Sequence, residues 1–418
     1  MSHNASRSGR PFGRRGTLTW SFFGVTLVLL GVLATLAYVG YRTSLKITGG
    51  SQATAIEDPN AAGYLARVEP TSVQLVGIAD DDGVPIDFLL LVNSSSQSTI
   101  AWLYGDAVVD PSKGPVTYRE TFQTGGLPAV QSALEAAIGL GISDSHRVTQ
   151  DDLTAIFSPA GTLQITNSDA LSRVDGAKTT VVFPSGAISV SPTQAGEYVT
   201  FVVANEPPVN RSLRVAEMFR AFYTKLKQAT LVEKPSNPAS AFFLNLRGRE
   251  FVFEQIPLAA SGIGTSGSFK VDTAAASDLM NRVVDFPQSG FAGQRPRTNV
   301  LSALGTSTDA QRAAGAIAKL GAEVTYIGNT PTISPQAVSA VRFSAEPFRA
   351  VAERVAASLG VRAELVKTQS EADLVVVLGN SGAERLTATT TSMLPTTTLP
   401  TRATTTTTSK VSKSSTSR

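Results

Sequence analysis

Two acids, Asp87 and Asp106, stand where carboxylates can do chemistry: Asp87 opens a very apolar stretch (IDFLLLV) and Asp106 closes the next (LYGD). Consecutive strands joined by a turn bring the end of one beside the start of the other, so both carboxylates would project from one sheet edge. A carboxylate pair there can hold a divalent cation that bridges a diphosphate. The plainer alternative makes Asp87 a strand opening, Asp106 a turn residue and DDDGVP a solvated acidic loop, and spacing alone leaves both open. Other chemistries drop out. The chain has no cysteine, which removes thiol redox and thiolate metal sites, and its two histidines, His3 and His146, cannot build a multi-histidine zinc centre. No Walker A loop or nucleophile-elbow serine is present. His146, in SDSHRVTQDD, reads as a solvated loop residue. The net charge of +3 over 418 residues sits partly in the tails, and no dense basic patch interleaved with aromatics marks a nucleic-acid partner.

The elements that must position these acids divide the chain. Residues 1–16 form a basic tail with Arg7, Arg10, Arg14 and Arg15 and no acid. The uncharged run Thr17–Tyr41 is long enough to span a bilayer as a helix, and the arginines before it place the N-terminus in the cytoplasm and the rest of the chain outside. The run is too long for a cleaved signal peptide, and the stretch YVGYRTSLK at its end offers no convincing cleavage site. Residues 42–71 read as a spacer and 72–286 as the first domain: strands VQLVGIA, IDFLLLVNS and TIAWLYGDAVV, a helix LPAVQSALEAAIGLG, and short strands RVTQ, GTLQIT, TVVFPSGAISVS and EYVTFVVA. An amphipathic helix RSLRVAEMFRAFYTKLKQA, a helix SNPASAFFLNL, a strand FVFEQIPLA and a helix DTAAASDLMNRVV complete it. The pattern predicts an α/β fold, a central sheet flanked by helices. After a Gly/Pro/Gln/Arg-rich linker, 287–297, residues 298–380 show two βαβ-like units that predict a small α/β sandwich with its helices on one face. Residues 381–418 are Thr/Ser-rich and read as a disordered tail.

The order VQLVGIA, acid-rich loop, IDFLLLV, TIAWLYGD, TFQTGG and RSLRVAEMFRAFYTKL resembles the LytR-CpsA-Psr family of membrane-anchored envelope proteins. The stretch from VLSALGTSTDAQRAAGAIAKLGAEVTYIGN to ADLVVVLG is similar to the LytR C-terminal domain that often follows. The resemblance implies a phosphotransferase that moves a glycopolymer from a polyprenyl-diphosphate carrier onto peptidoglycan, with Mg2+ held by Asp87 and Asp106 and Asp106 catalytic. It also assigns phosphate binding to Arg211 and Arg214, which keep both arginines of the family's Arg-x-x-Arg-Gln signature, and to Arg119 in the loop before Gly125 and Gly126. A basic first helical turn is disfavoured by the helix dipole, which points to an anion nearby. Three family arginines are missing. Pro85-Ile86-Asp87-Phe88 keeps only the acid of a Ser-Asp-Thr signature, Tyr104-Gly105-Asp106 lacks the arginine of Pro-Arg-Asp, and YVTFVVAN at 198–205 lacks both arginines of Tyr-Val-Arg-x-Arg. Each lost preorganised donor typically costs about 100- to 1000-fold in rate. The expectation is therefore a divergent member that binds a lipid-linked glycan or a wall partner. The alternatives are an active transferase that draws its cations from Arg119, Arg211, Arg214 or Arg247, and a scaffold working through its C-terminal domain.

Overall fold

The computed structural model describes residues 56–80, 82–203, 206–228, 238–262, 268–332, 338–367 and 372–385. The expected membrane helix Thr17–Tyr41, the basic tail before it and the Thr/Ser-rich stretch from residue 386 lie outside the described residues. Among the described residues no helix is long and apolar enough to cross a membrane.

A first short strand, β1 (Leu65–Arg67), precedes β2 (Val73–Ala79), β3 (Pro85–Asn93) and β4 (Gln97–Tyr104). The last three are buried nearly throughout, as their continuous apolar runs require of strands covered on both faces. Helix α1 (Tyr118–Ile138) starts on a reciprocal capping box between Thr117 and Glu120, breaks at Gly126 (φ 66°, ψ −167°) just before Pro128, and ends at left-handed Gly139. Then come β5 (Asp144–Val148), α2 (Gln150–Phe157), β6 (Leu163–Asn167), β7 (Leu171–Asp175), β8 (Lys178–Phe183) and β9 (Gly186–Val190). Helices α3 (Pro192–Thr200), α4 (Pro208–Leu226) and α5 (Pro238–Asn245), strands β10 (Glu250–Gln255), β11 (Leu258–Ala260) and β12 (Phe269–Val271), and helix α6 (Thr273–Val283) close the first domain. Its main sheet runs β10-β4-β3-β2-β5, with β10 and β5 parallel to their neighbours and the centre antiparallel.

Two apolar layers sandwich this sheet. On one side Leu89, Leu91, Ile100 and Trp102 meet Phe219 and Phe222 of α4 and Phe242 and Phe243 of α5, and the Phe219 ring stacks on Phe243 at 5.5 Å. On the other, Phe88, Leu90 and Leu103 pack under Leu134 and Ile138 of α1 and Leu279 and Met280 of α6.

The second domain holds β13 (Arg297–Ser302), α7 (Ser307–Lys319), β14 (Glu323–Asn329), β15 (Ala340–Phe343), α8 (Arg349–Leu359), β16 (Ala363–Leu365) and β17 (Leu374–Leu378). Alternate residues of the strands and the buried faces of α7 and α8 share one apolar cluster, which puts both helices on the same face. The sheet order is β1-β14-β13-β17-β15-β16, so its outermost strand comes from ahead of the first domain.

Several elements differ from the sequence expectation. EYVT, expected as a strand, ends helix α3, because Ser191, Pro192 and Gln194 supply an N-cap, a first-turn proline and a capping-box partner. TVVFPSGAISVS belongs to two strands in separate hairpins, β7/β8 and β6/β9. Helix α1 begins nine residues ahead of Leu127, at Tyr118. Leu65–Arg67, expected in the spacer, pairs with β14. Residues 381–385, expected as tail, are helical.

The expected linker is a hydrogen-bonded joint. Gln294 donates to the Glu135 carbonyl, and buried Arg295 donates from Nε to the Gly139 carbonyl, from Nη2 to Asn281 Oδ1 and from Nη1 to the Ala318 carbonyl. Burial pushes the Arg295 pKa down to about 10, with the Glu323 carboxylate opposing. Gly290 lies so close to the Glu135 side chain that a Cβ would fall 2.9 Å from it.

Candidate functional site

The β3–β4 register puts Asp87 opposite Tyr104, two residues from Asp106. Gly105 fixes that corner. Its N–H donates to Asp87 Oδ1 at 3.1 Å, its carbonyl accepts from the Arg119 N–H at 2.9 Å, and a Cβ on it would meet the Ile86 carbonyl oxygen at 2.1 Å. The first turn of α1 is thereby tied to the β4 turn, with the Tyr118 N–H donating to the Ala107 carbonyl as a second tie. Arg119 then reaches Asp106, Nε to Oδ1 at 3.0 Å, and donates from Nη2 to the Ile86 carbonyl.

Asp87 points to the α4 side of the sheet and meets Arg211, Nε to Oδ2 at 2.6 Å, with side chains only 1% and 3% exposed. Asp106 and Arg119 form the outer layer, 44% and 24% exposed. Of the five residues singled out in the sequence, the structure brings together Asp87, Asp106, Arg119 and Arg211. Arg214 is elsewhere. It forks onto the Glu206 carboxylate and donates to the Tyr198 and Phe201 carbonyls, which makes it a tie between α3 and α4. The anions that the basic turn of α4 called for are thus Asp87 and Glu206, supplied by the chain itself. Arg247 is exposed in the turn before β10, whose first residue pairs with Gln97, so it lies at the opposite end of β4 from Asp106.

Burial pushes the Asp87 carboxyl above the usual carboxylate range, while the Arg211 guanidinium and the Gly105 N–H pull it down. Tyr104 belongs to the same cluster. Its phenol is pushed up to about 12, first by burial and then by the Asp106 and Asp87 charges. Sequence reasoning passed over Tyr104 and Gly105 as functional residues, although both stand in the LYGD segment that carries Asp106.

Neither ion pair is an aligned hydrogen bond at Nε, so the contacts are chiefly electrostatic. Arg119 Nε, Arg211 Nε and Arg211 Nη2 are buried donors with no acceptor in line. Buried donors of this kind are rarely left unspent. The Mg2+ implied by the resemblance finds a poor donor set: Asp87 is sealed with both oxygens engaged, Asp106 Oδ1 faces Arg119, and among the described residues no group of three or more acidic or histidine side chains is placed to hold a metal.

Residues 295–381 match the LytR cell envelope-related transcriptional attenuator family. The chain carries a LytR C-terminal domain. That domain spans β13 to β17 and bears out the LytR C-terminal domain expected from the sequence. No curated protein sequence matches the chain. Among solved structures it is similar to Bacillus subtilis TagV (11% identity, 52% of this chain and 96% of that one, TM-score 0.41). It is also similar to TagT bound to LI-WTA (13%, 51% and 90%, 0.39) and to B. subtilis TagU (12%, 50% and 95%, 0.32). At these low scores, the architecture ahead of the LytR C-terminal domain rests on its own strand order and register.

Proposed function

We propose that this chain is an extracytoplasmic LytR-CpsA-Psr-type envelope protein, anchored by Thr17–Tyr41, that binds a polyprenyl-phosphate-linked glycan at the Asp106–Arg119 end of the main sheet and does not transfer it. One observation carries this: Arg119 Nε, a buried guanidinium donor with no aligned acceptor, belongs to the partly exposed ion pair with Asp106. A phosphate oxygen is the acceptor such donors suit, since charge-assisted bonds to guanidinium are about twice as strong as neutral ones. Transfer asks for more. A leaving diphosphate gains charge, and both arginines of this cluster are already set against Asp87 and Asp106, so neither brings an unopposed charge to meet it. TagT bound to LI-WTA offers a glycopolymer precedent among the similar structures.

The deciding experiment presents the full chain in nanodiscs with a polyprenyl phosphate and, separately, with a lipid-diphosphate glycan donor and a peptidoglycan acceptor. Saturable binding that weakens at least about tenfold in Arg119→Ala, with no polymer transferred, is the expected result. Transfer that is abolished by Asp106→Ala would replace binding with catalysis as the function.

A further inference from the structure

The LytR C-terminal domain is completed by a strand that lies some 230 residues ahead of it in the chain, and the contacts are specific. β1 runs antiparallel along β14, with Leu65 opposite Gly328, Ala66 opposite Ile327 and Arg67 opposite Tyr326. The Gly63 N–H donates to the Thr330 carbonyl, the Asn329 N–H to the Tyr64 carbonyl and the Val68 N–H to the Thr325 carbonyl, at 3.1, 2.8 and 2.9 Å. Two residues of β14 are shaped for this. A Cβ on Gly328 would lie 1.9 Å from the Tyr64 carbonyl oxygen, so only glycine lets the segment approach. Asn329, 1% exposed, donates from Nδ2 to the Pro59 and Ala61 carbonyls at 2.8 and 3.0 Å.

The same segment contributes almost nothing to the apolar core. Leu65 is 53% exposed, Arg67 is exposed, and of the strap only Val68 packs against the domain's cluster. Its hold is therefore main-chain pairing plus Asn329. A strand held that way opens locally at lower free energy than strands that share the core.

We infer that the outer edge of β14 is a built acceptor site for an extended strand, and that residues 58–68 are its cis occupant, a strap that can leave while the domain stays folded. The partner the edge fits is a peptide lying antiparallel to β14, with one carbonyl over Gly328 and two more reaching Asn329. While the strap is in place the edge is closed to other strands, which is how natural sheets keep an edge from pairing with a second copy. Once it leaves, the edge takes a strand by β-augmentation.

The test uses the full chain and four variants, one of them a double. Gly328→Val fills the space of the Tyr64 carbonyl, and Val68→Pro removes the donor to Thr325 while leaving the edge intact. Gly315→Ala, in α7 with nothing within 4 Å of the added Cβ, is the control. Hydrogen exchange should show the Gly63 and Asn329 amides opening at least about tenfold faster in the first two variants, with β13 and β17 amides unchanged and the control like the parent. A synthetic peptide of residues 58–69 should bind Val68→Pro, but neither the parent nor the Val68→Pro/Gly328→Val double variant. Strap amides that stay protected in both variants, loss of protection at β13 and β17 together with the strap, or failure of the peptide to bind the opened Val68→Pro chain would each overturn the inference.

Discussion

Arg211→Ala tests the centre of the site. The substitution leaves the Asp87 carboxylate sealed under α4 with the Gly105 N–H as its hydrogen-bond donor and only the weaker pull of the Arg119 charge, which the Asp106 charge opposes. Removing one partner of a buried ion pair typically costs about 3–5 kcal/mol, because the remaining charge is uncompensated. Part of that loss depends on pH, and its sign follows from Asp87. Its carboxyl is already raised by burial, and Arg211 is the strongest influence pulling it down. Without Arg211 it rises further, so the folded variant holds a proton that the unfolded chain releases. An acid raised in the folded state contributes stability at low pH that is lost as pH climbs, so the gap between variant and parent opens above the parent's own Asp87 pKa. Each additional pH unit in that window widens it by about 1.4 kcal/mol until the variant's Asp87 ionises. Urea titrations at pH 5 and pH 8 measure the gap, and Asp87→Asn/Arg211→Met, which removes both charges, should recover most of the loss. A loss below about 1 kcal/mol that is the same at both pH values would refute the buried pair, since that is the behaviour of an exposed one.

The outer pair should behave differently: Asp106→Asn is expected to change stability by less than about 1 kcal/mol. It should also lower the Tyr104 phenol from about 12, because the Asp106 charge helps hold it there, and phenolate absorbance through alkaline titration reads this directly. In the parent, stability falls as pH rises from 10 toward 12, since unfolding frees that phenol to ionise. Gly105→Ala should cost more than about 2 kcal/mol in denaturant melts and abolish polyprenyl-phosphate binding, as its Cβ would collide with the Ile86 carbonyl at 2.1 Å. Phe219→Ala, which opens the aromatic layer between sheet and helices, should cost about 3–5 kcal/mol in the same melts without touching the ion pairs. Millimolar Mg2+ should leave the melting temperature unchanged; a rise that Asp87→Asn removes would place a cation on that carboxylate.

What could be read in the sequence follows the strength of local signals. The runs VQLVGIA, IDFLLLV and TIAWLY are apolar without interruption, so β2 to β4 and the approach of Asp87 to Asp106 were legible, as was the alternation of strands and helices in the second domain. Arg211 as the partner of Asp87 was not, because the pairing depends on how α4 lies over a sheet more than a hundred residues earlier in the chain. For α3, the β-branched and aromatic run YVTFVV masked a capping signal at Ser191 and Pro192 that lay in plain view. Arg214 shared the motif of Arg211, yet three positions along a helix turn it toward Glu206 and the α3 carbonyls. β1 left no trace, since three residues are too few to show a period.

The joint at Arg295 also couples two helix ends. One guanidinium holds the carbonyl at the end of α1 and a carbonyl at the end of α7. The LytR C-terminal domain therefore meets α1 through a shared buried side chain and not through a loose tether, and trimming that side chain would take a donor from a carbonyl at each helix end at once.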